Sequence, residues 1–424
     1  MRVLAKTDTL AREKGFDHSF DLLREGYHFI PNRRHSFQSD MFETRLLGRR
    51  ALCMGGMEAA ELFYDNDLFK RSGAAPGMVR NTLLGKNSVQ NLDGEMHYSR
   101  KKMFMSLMTT DRLAVMDEIT IDQFEAALDR WEEQKEIVLY EEAKELMLRI
   151  ACNWAGVPLW SHEVSLRKED VASMIEGAAS LGRKHWKARK ARTRSEKWIG
   201  SLVEKVRQGV LSPPEKTALH TISLYRDING ELLDVHTAAE EILNIIRPMV
   251  AIAVYINFTA LAVHQYPEER EKLKSGDEKQ NLMFVQEVRR FYPFFPFQAA
   301  KAKQDFTWKG FEIRKNDLVL MDFYGTNHDP KRWGNPQVFN PDRFANWEEN
   351  PFDFVPQGGG DYNMGHRCAG EWVTVQVMQI ALDYLVNKMS YHVPQQDLSY
   401  SLVNFPTRSN SRFIMNDIVR KAQK

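Results

Sequence analysis

The chain has 424 residues, enough to enclose a large core, and its 58 Lys and Arg stand against 57 Asp and Glu, a formal charge of +1. That balance supplies no field for recruiting nucleic acid or a charged membrane, so small-molecule partners are expected, with no nucleic acid and no stable membrane insertion. Three scattered cysteines, Cys53, Cys152 and Cys368, exclude a disulfide framework and suit a reducing cytoplasm.

The opening run Met1-Arg-Val-Leu-Ala-Lys-Thr-Asp8 lacks the apolar stretch of a leader or membrane anchor, which again points to a cytoplasmic protein. Strand-like runs follow near the N-terminus. Helical periodicity dominates from about Met116 to Lys274, with amphipathic segments around Glu118–Lys135, Glu141–Trp154, Leu166–Leu181 and Val235–His264. Between them, Arg183 to Lys197 holds eight Lys or Arg and one Trp. The charges surround this segment more than they segregate, so a solvated outer face is expected in preference to a membrane-touching helix. Ser212-Pro213-Pro214 reads as a stop between helices, and no repeat or low-complexity linker divides the chain. The expected class is mainly α with small β-sheets, in one domain over residues 1–424.

The long apolar segment contains Arg247-Pro248 at its middle, where neither residue belongs by default. Proline removes a backbone donor, and an arginine on an apolar face is costly unless an anion meets it. That anion is either an internal acid or a ligand. Further on, Glu287 and Arg290 stand three apart, on one helix face, and by themselves make an ordinary ion pair. Strands are expected around Phe311–Asp322, bounded by the turn Lys315-Asn316-Asp317, and around Tyr391–Ile418. Between these lie Asn327-His328-Asp329-Pro330 and then Asn340-Pro341-Asp342-Arg343-Phe344.

The run from Phe354 to Glu371 is glycine-rich and delivers Cys368 to the start of a helix expected from Glu371 to about Lys388. Flanking His366 and Arg367, with the free amides of a helix start, are expected to lower the thiol pKa and to make a metal-ligand setting.

The order Glu-x-x-Arg, then Pro-x-Arg-Phe, then this cysteine loop resembles the C-terminal layout of the cytochrome P450 family. The resemblance implies a single-domain P450 fold with haem between a long distal helix and the cysteine loop. Cys368 would be the axial ligand of haem b iron, and Glu287, Arg290 and Arg343 a buried network bracing the loop. The loop departs from the common form: Asp361 stands where most members have Phe, and Gly358-Gly359-Gly360 and Tyr362 lengthen it. The long helix departs too, having Arg247-Pro248 where an oxygen-activating member has an acid and an alcohol. Both departures resemble the fatty-acid peroxygenase branch.

That branch implies hydrogen peroxide and a long-chain fatty acid as substrates, with no obligatory reductase. Arg247 would hold the substrate carboxylate, which serves as the acid-base group, and Pro248 would shape the helix beside it. His97, Lys101 and, from the run Arg71-Ser72-Gly73, Arg71 match contacts to the haem carboxylates. Gln90 falls where branch members carry His or Gln; a carboxamide cannot carry a proton as imidazole does, so hydroxylation at the α or β carbon is expected over decarboxylation to an alkene. Leu84 takes a neighbouring pocket position. A reductase-dependent monooxygenase and a non-catalytic fatty-acid carrier or sensor are the other readings.

Overall fold

The computed structural model describes residues 11–178 and 180–422. The expectation for residues 1–8 therefore lies outside the described residues. Eight helices build most of the interior: α1 (Gly94–Met105), α2 (Thr110–Glu132), α3 (Leu139–Ala155), α4 (Val164–Glu176), α5 (Gly182–Arg207), α6 (Val235–Gln265), α7 (Glu278–Phe291) and α8 (Glu371–Asp383). Helix α6 is the axis. Asp234 caps it by accepting from Thr237 N at 3.0 Å, and it runs unbroken through Pro248. It is long and apolar enough to cross a membrane by composition, but 89% of its most apolar window is buried inside the protein, packed among α3, α5 and α8. An all-round apolar helix of this kind is a core helix.

Strands β1 (Met41–Leu46), β2 (Arg49–Met54), β3 (Phe69–Lys70), β5 (Phe297–Ala302) and β8 (Leu318–Asp322) form one sheet in the order β1-β2-β8-β5-β3, parallel only between β2 and β8. A second, antiparallel sheet has the order β4-β10-β9, with β4 at Glu136–Val138, β9 at Met389–His392 and β10 at Ile414–Arg420. Strands β6 (Phe306–Trp308) and β7 (Phe311–Ile313) pair as a hairpin. The architecture is the mainly helical one with small sheets that the periodicity predicts.

Three local expectations need correction. The Phe311–Asp322 run breaks into β7 and β8, because Asn316 takes the left-handed φ of +70° at the turn. Only the ends of Tyr391–Ile418 are strand; between them side chains replace a partner strand, as where Gln396 Oε1 accepts Ile414 N at 2.7 Å. The third concerns the basic segment. In α5 the charges do segregate: Ala188, Ala191, Arg192 and Ser195 are buried at helical spacing, while Arg183, Lys184, Lys187, Lys190, Arg194 and Lys197 are exposed. The outer face is solvated as expected, but Arg192 points inward to Glu196 at 2.5 Å and Glu240 at 3.8 Å.

Candidate active site

The cysteine loop is held from two directions. Glu287 and Arg290 are fully buried on α7, with Arg290 Nε and Nη2 donating to the carboxylate at 2.7 and 2.8 Å. Arg343 Nε lies 3.1 Å from Glu287 Oε2, and Asn340 N donates to Oε1 at 2.8 Å. Arg290 Nη1 also donates to Asn327 O at 3.1 Å, and Asn327 Oδ1 accepts Val355 N at 2.9 Å, which carries the network into the loop. These three residues are thus brought together inside the protein, where a surface ion pair would have been exposed.

A second network escaped the sequence reading. Arg289 Nη2 pairs with Glu371 Oε1 at 2.5 Å, and Arg367 Nε with Glu371 Oε2 at 2.6 Å. Arg289 also donates to Gln357 Oε1 at 3.0 Å, and Gln357 Nε2 lies 3.9 Å from Cys368 Sγ. Arg289 adjoins Arg290 in sequence, but its partner lies 82 residues away, so no spacing rule could find the pair. Asp361, in place of the aromatic residue, caps a turn: its Oδ1 accepts Asn363 N at 2.7 Å and Met364 N at 2.9 Å. Gly359 is needed for close approach, because a Cβ there would sit 2.5 Å from Pro351 O.

The expected lowering of the thiol pKa does not occur in the protein alone. Burial pushes Cys368 up, and Glu371 adds to it, against the pull of Lys101, the Gly370 amide and Arg289. The basic neighbours in sequence are turned to other work: Arg367 is neutralised by Glu371 and by Glu349 at 2.7 Å, and His366 stacks on His97 with ring centroids 3.9 Å apart. A bound metal cation would supply the missing stabilisation of the thiolate.

His97, Lys101 and Arg71 are all at least nineteen-twentieths buried, at 3%, 4% and 3% exposure. Burial lowers Arg71 to about 10, His97 to about 4 with Lys101 assisting, and Lys101 to about 8. His366 is driven well below its usual value by burial and by Arg71. Arg71 Nε has no partner among the described residues, and Asp93 accepts the backbone N–H groups of Arg71 and Ser72 at 2.7 and 2.9 Å. Buried bases whose charged forms are disfavoured by burial and by one another mark a place for an anion.

Arg247 is buried on α6, and burial lowers its pKa to about 9, with repulsion from Arg192 adding to the effect. Its Nη2 donates to Asn244 Oδ1 at 2.8 Å and its Nε has no partner among the described residues. Among the described residues no carboxylate oxygen lies within 4.0 Å of it, so the internal-acid alternative is absent. Glu241 and Cys368 act the other way and favour its charged form.

Leu84 is half-buried at the end of a wide π-helical turn over Arg80–Leu84, and Gln90 is half-buried with an Oε1 that has no partner among the described residues. Their segment is fastened to α6 by two acids that the sequence reading passed over. Glu240 accepts Lys86 N and Asn87 N, each at 2.9 Å, and Glu241 accepts Val89 N at 2.9 Å. Gly85, at φ +101°, permits this contact, since a Cβ there would lie 2.7 Å from Arg192 Nη2. Val89, the neighbour of Gln90, is therefore linked to Arg247 through Glu241 and Asn244.

Residues 282–408 match the cytochrome P450 family model. The chain is 47% identical to cytochrome P450EX alpha (CYP152N1), solved with myristic acid, over 97% of this chain and 100% of that one, with a TM-score of 0.95. It is 41% identical to cytochrome P450SP alpha (CYP152B1), covering 96% of this chain and 99% of that one at a TM-score of 0.94, in a complex with (R)-ibuprophen. It is 36% identical to cytochrome P450 OleT, solved with arachidonic acid, over 98% and 100% of the two chains at a TM-score of 0.95. Among curated proteins, beta-amyrin 28-monooxygenase of Kalopanax septemlobus is 23% identical, covering 92% of this chain and 88% of its own. The chain belongs to the cytochrome P450 family, whose members carry haem iron on a cysteine thiolate. Within it, the chain is an oxidoreductase of the fatty-acid peroxygenase branch, as the cysteine loop and the Arg247-Pro248 pair led us to expect.

Proposed function

We propose that residues 1–424 form one cytoplasmic domain that hydroxylates long-chain fatty acids at the α or β carbon with hydrogen peroxide, without an obligatory reductase. The residues fit haem b. Cys368 would ligate iron, and the buried bases Arg71, His97, Lys101 and His366, whose charged forms burial disfavours, would hold its carboxylates. When bound, the haem supplies the oxidising chemistry that converts a C–H bond to C–OH.

The carrying observation is Arg247, a buried guanidinium tethered by a neutral amide and paired with no acid among the described residues. A fatty-acid carboxylate would complete its ion pair bidentately, using Nε and Nη donors. Held there, the carboxylate oxygen takes a proton from hydrogen peroxide and returns it to the departing water, the acid-base work that no protein side chain on α6 is placed to do. Because the guanidinium fixes the acid head, the carbons within reach of oxidation are those next to it. The neighbouring structures with myristic and arachidonic acid support this substrate class. Arg247→Ala is expected to lower peroxide-driven turnover of myristate and palmitate at least a hundredfold while the reduced carbon monoxide spectrum persists. Undiminished turnover would overturn the role.

Decarboxylation to a terminal alkene is the second reading at the same site. The unpartnered Gln90 Oε1 favours hydroxylation, because a carboxamide there accepts hydrogen bonds but exchanges no proton. Products of unchanged carbon number support hydroxylation; alkenes one carbon shorter support the alternative.

A further inference from the structure

Asn244 is the sole hydrogen-bond partner of the Arg247 side chain among the described residues, and its carboxamide has an accepting face and a donating face. Which face meets the arginine is decided one step away. Asn244 Nδ2 donates to Glu241 Oε2 at 3.0 Å. An ionised carboxylate only accepts, so Glu241 turns the NH2 group of Asn244 toward itself and leaves the amide oxygen for Arg247. Glu241 is in turn anchored, with Oε1 taking Arg100 Nη1 at 2.6 Å and Val89 N at 2.9 Å. The three residues recur every three positions along one face of α6.

The chain Arg100, Glu241, Asn244, Arg247 therefore transmits orientation while keeping the Glu241 carboxylate out of contact with Arg247. Arg100 neutralises Glu241, and the uncharged Asn244 carries the constraint onward without an anion. Two further groups act on Arg247: Arg192 from α5, which repels it and cannot neutralise it, and Cys368, which favours its charged form.

We infer that Asn244 determines specificity for anionic substrates: it positions the Arg247 guanidinium through a neutral tether, so that the positive charge is kept for the head of the ligand. This rests on the reading of Arg247 as the carboxylate anchor. An acid at position 244 would position the arginine equally well and remove the charge that binds the substrate.

The test uses the haem-loaded protein and two probes of equal chain length, myristate and 1-tetradecanol, with dissociation constants measured by calorimetry and by the change in haem absorption. Asn244→Ala is expected to weaken myristate roughly tenfold or more at every pH and to leave 1-tetradecanol unchanged. The isosteric Asn244→Asp serves if the alanine variant misfolds. With the introduced carboxyl protonated it can imitate the amide, donating to Glu241 and accepting from Arg247, so myristate affinity relative to the parent is near unity. As pH rises and the carboxyl ionises between Glu241 and Arg247, relative affinity for myristate falls roughly tenfold or more while that for 1-tetradecanol does not. A purely structural role would weaken both probes alike and show no such pH step. Parent-like myristate binding by both variants at every pH, with Arg247→Ala weakened, overturns the inference about Asn244. Parent-like binding by Arg247→Ala overturns the anchor reading itself.

Discussion

Two groups of buried basic residues in this protein behave in opposite ways. Around the cysteine loop, Arg289, Arg290, Arg343 and Arg367 each lie within 3.1 Å of an oxygen of Glu287 or Glu371. Arg71, His97, Lys101 and Arg247 are as deeply buried, yet no acid is paired with them among the described residues. Charges neutralised from within fix a loop in place. Charges left open are costly to the protein alone and become favourable only when an anion arrives.

The largest effect comes from breaking the neutralised group. Glu287→Ala leaves Arg290 and Arg343 buried without an anion, which costs about 3–5 kcal/mol. Thermal unfolding should shift down strongly, and the reduced carbon monoxide spectrum should lose its thiolate form.

The open group should respond in the reverse sense. Arg71→Met removes a guanidinium that makes one side-chain hydrogen bond, to Phe63 O at 3.2 Å, and whose Nε is unpartnered. The haem-free variant is expected to melt at or above the temperature of the haem-free parent, while haem affinity falls roughly tenfold. If haem-free Arg71→Met is destabilised as much as Glu287→Ala, the contrast between the two groups is broken.

The smallest effect is a pH slope. His328 sits beside the Glu287 network with Nδ1 2.9 Å from Tyr324 O, and burial, with Arg290 assisting, lowers its pKa to about 3. The unfolded chain takes up a proton near pH ~6.5 that the folded chain refuses. His328 is therefore neutral at no cost above that pH, and its burial removes stability progressively as pH falls from about 6.5 toward about 3. Melting curves of the parent and His328→Gln should converge near neutrality and diverge in acid, with the variant showing the shallower decline.

What could be found in the sequence was local. The cysteine loop is contiguous, Arg247-Pro248 is an anomaly in its own helix, and Glu287 with Arg290 obeys helical spacing. Glu240, Glu241 and Asn244 lie in the same helix as Arg247 but gave no signal, because acids and amides near a helix start are ordinary on a solvated face. Only folding showed that α6 has no such face and that residues 86–89 descend onto it. The thiol pKa failed for a related reason: adjacency in sequence placed His366 and Arg367 beside Cys368, and the fold turned them to His97 and Glu371.

The sequence by itself determined the family, the helical class and the residues able to ligate iron or hold a carboxylate, since these depend on residue type and short spacing. The tertiary structure alone decided which buried charges are cancelled and which stay open. Beyond the local pairs, neutralisation depends on partners brought from 56 to 141 residues away, as Glu287 to Arg343 and Arg100 to Glu241 show, and burial sets the strength of each interaction.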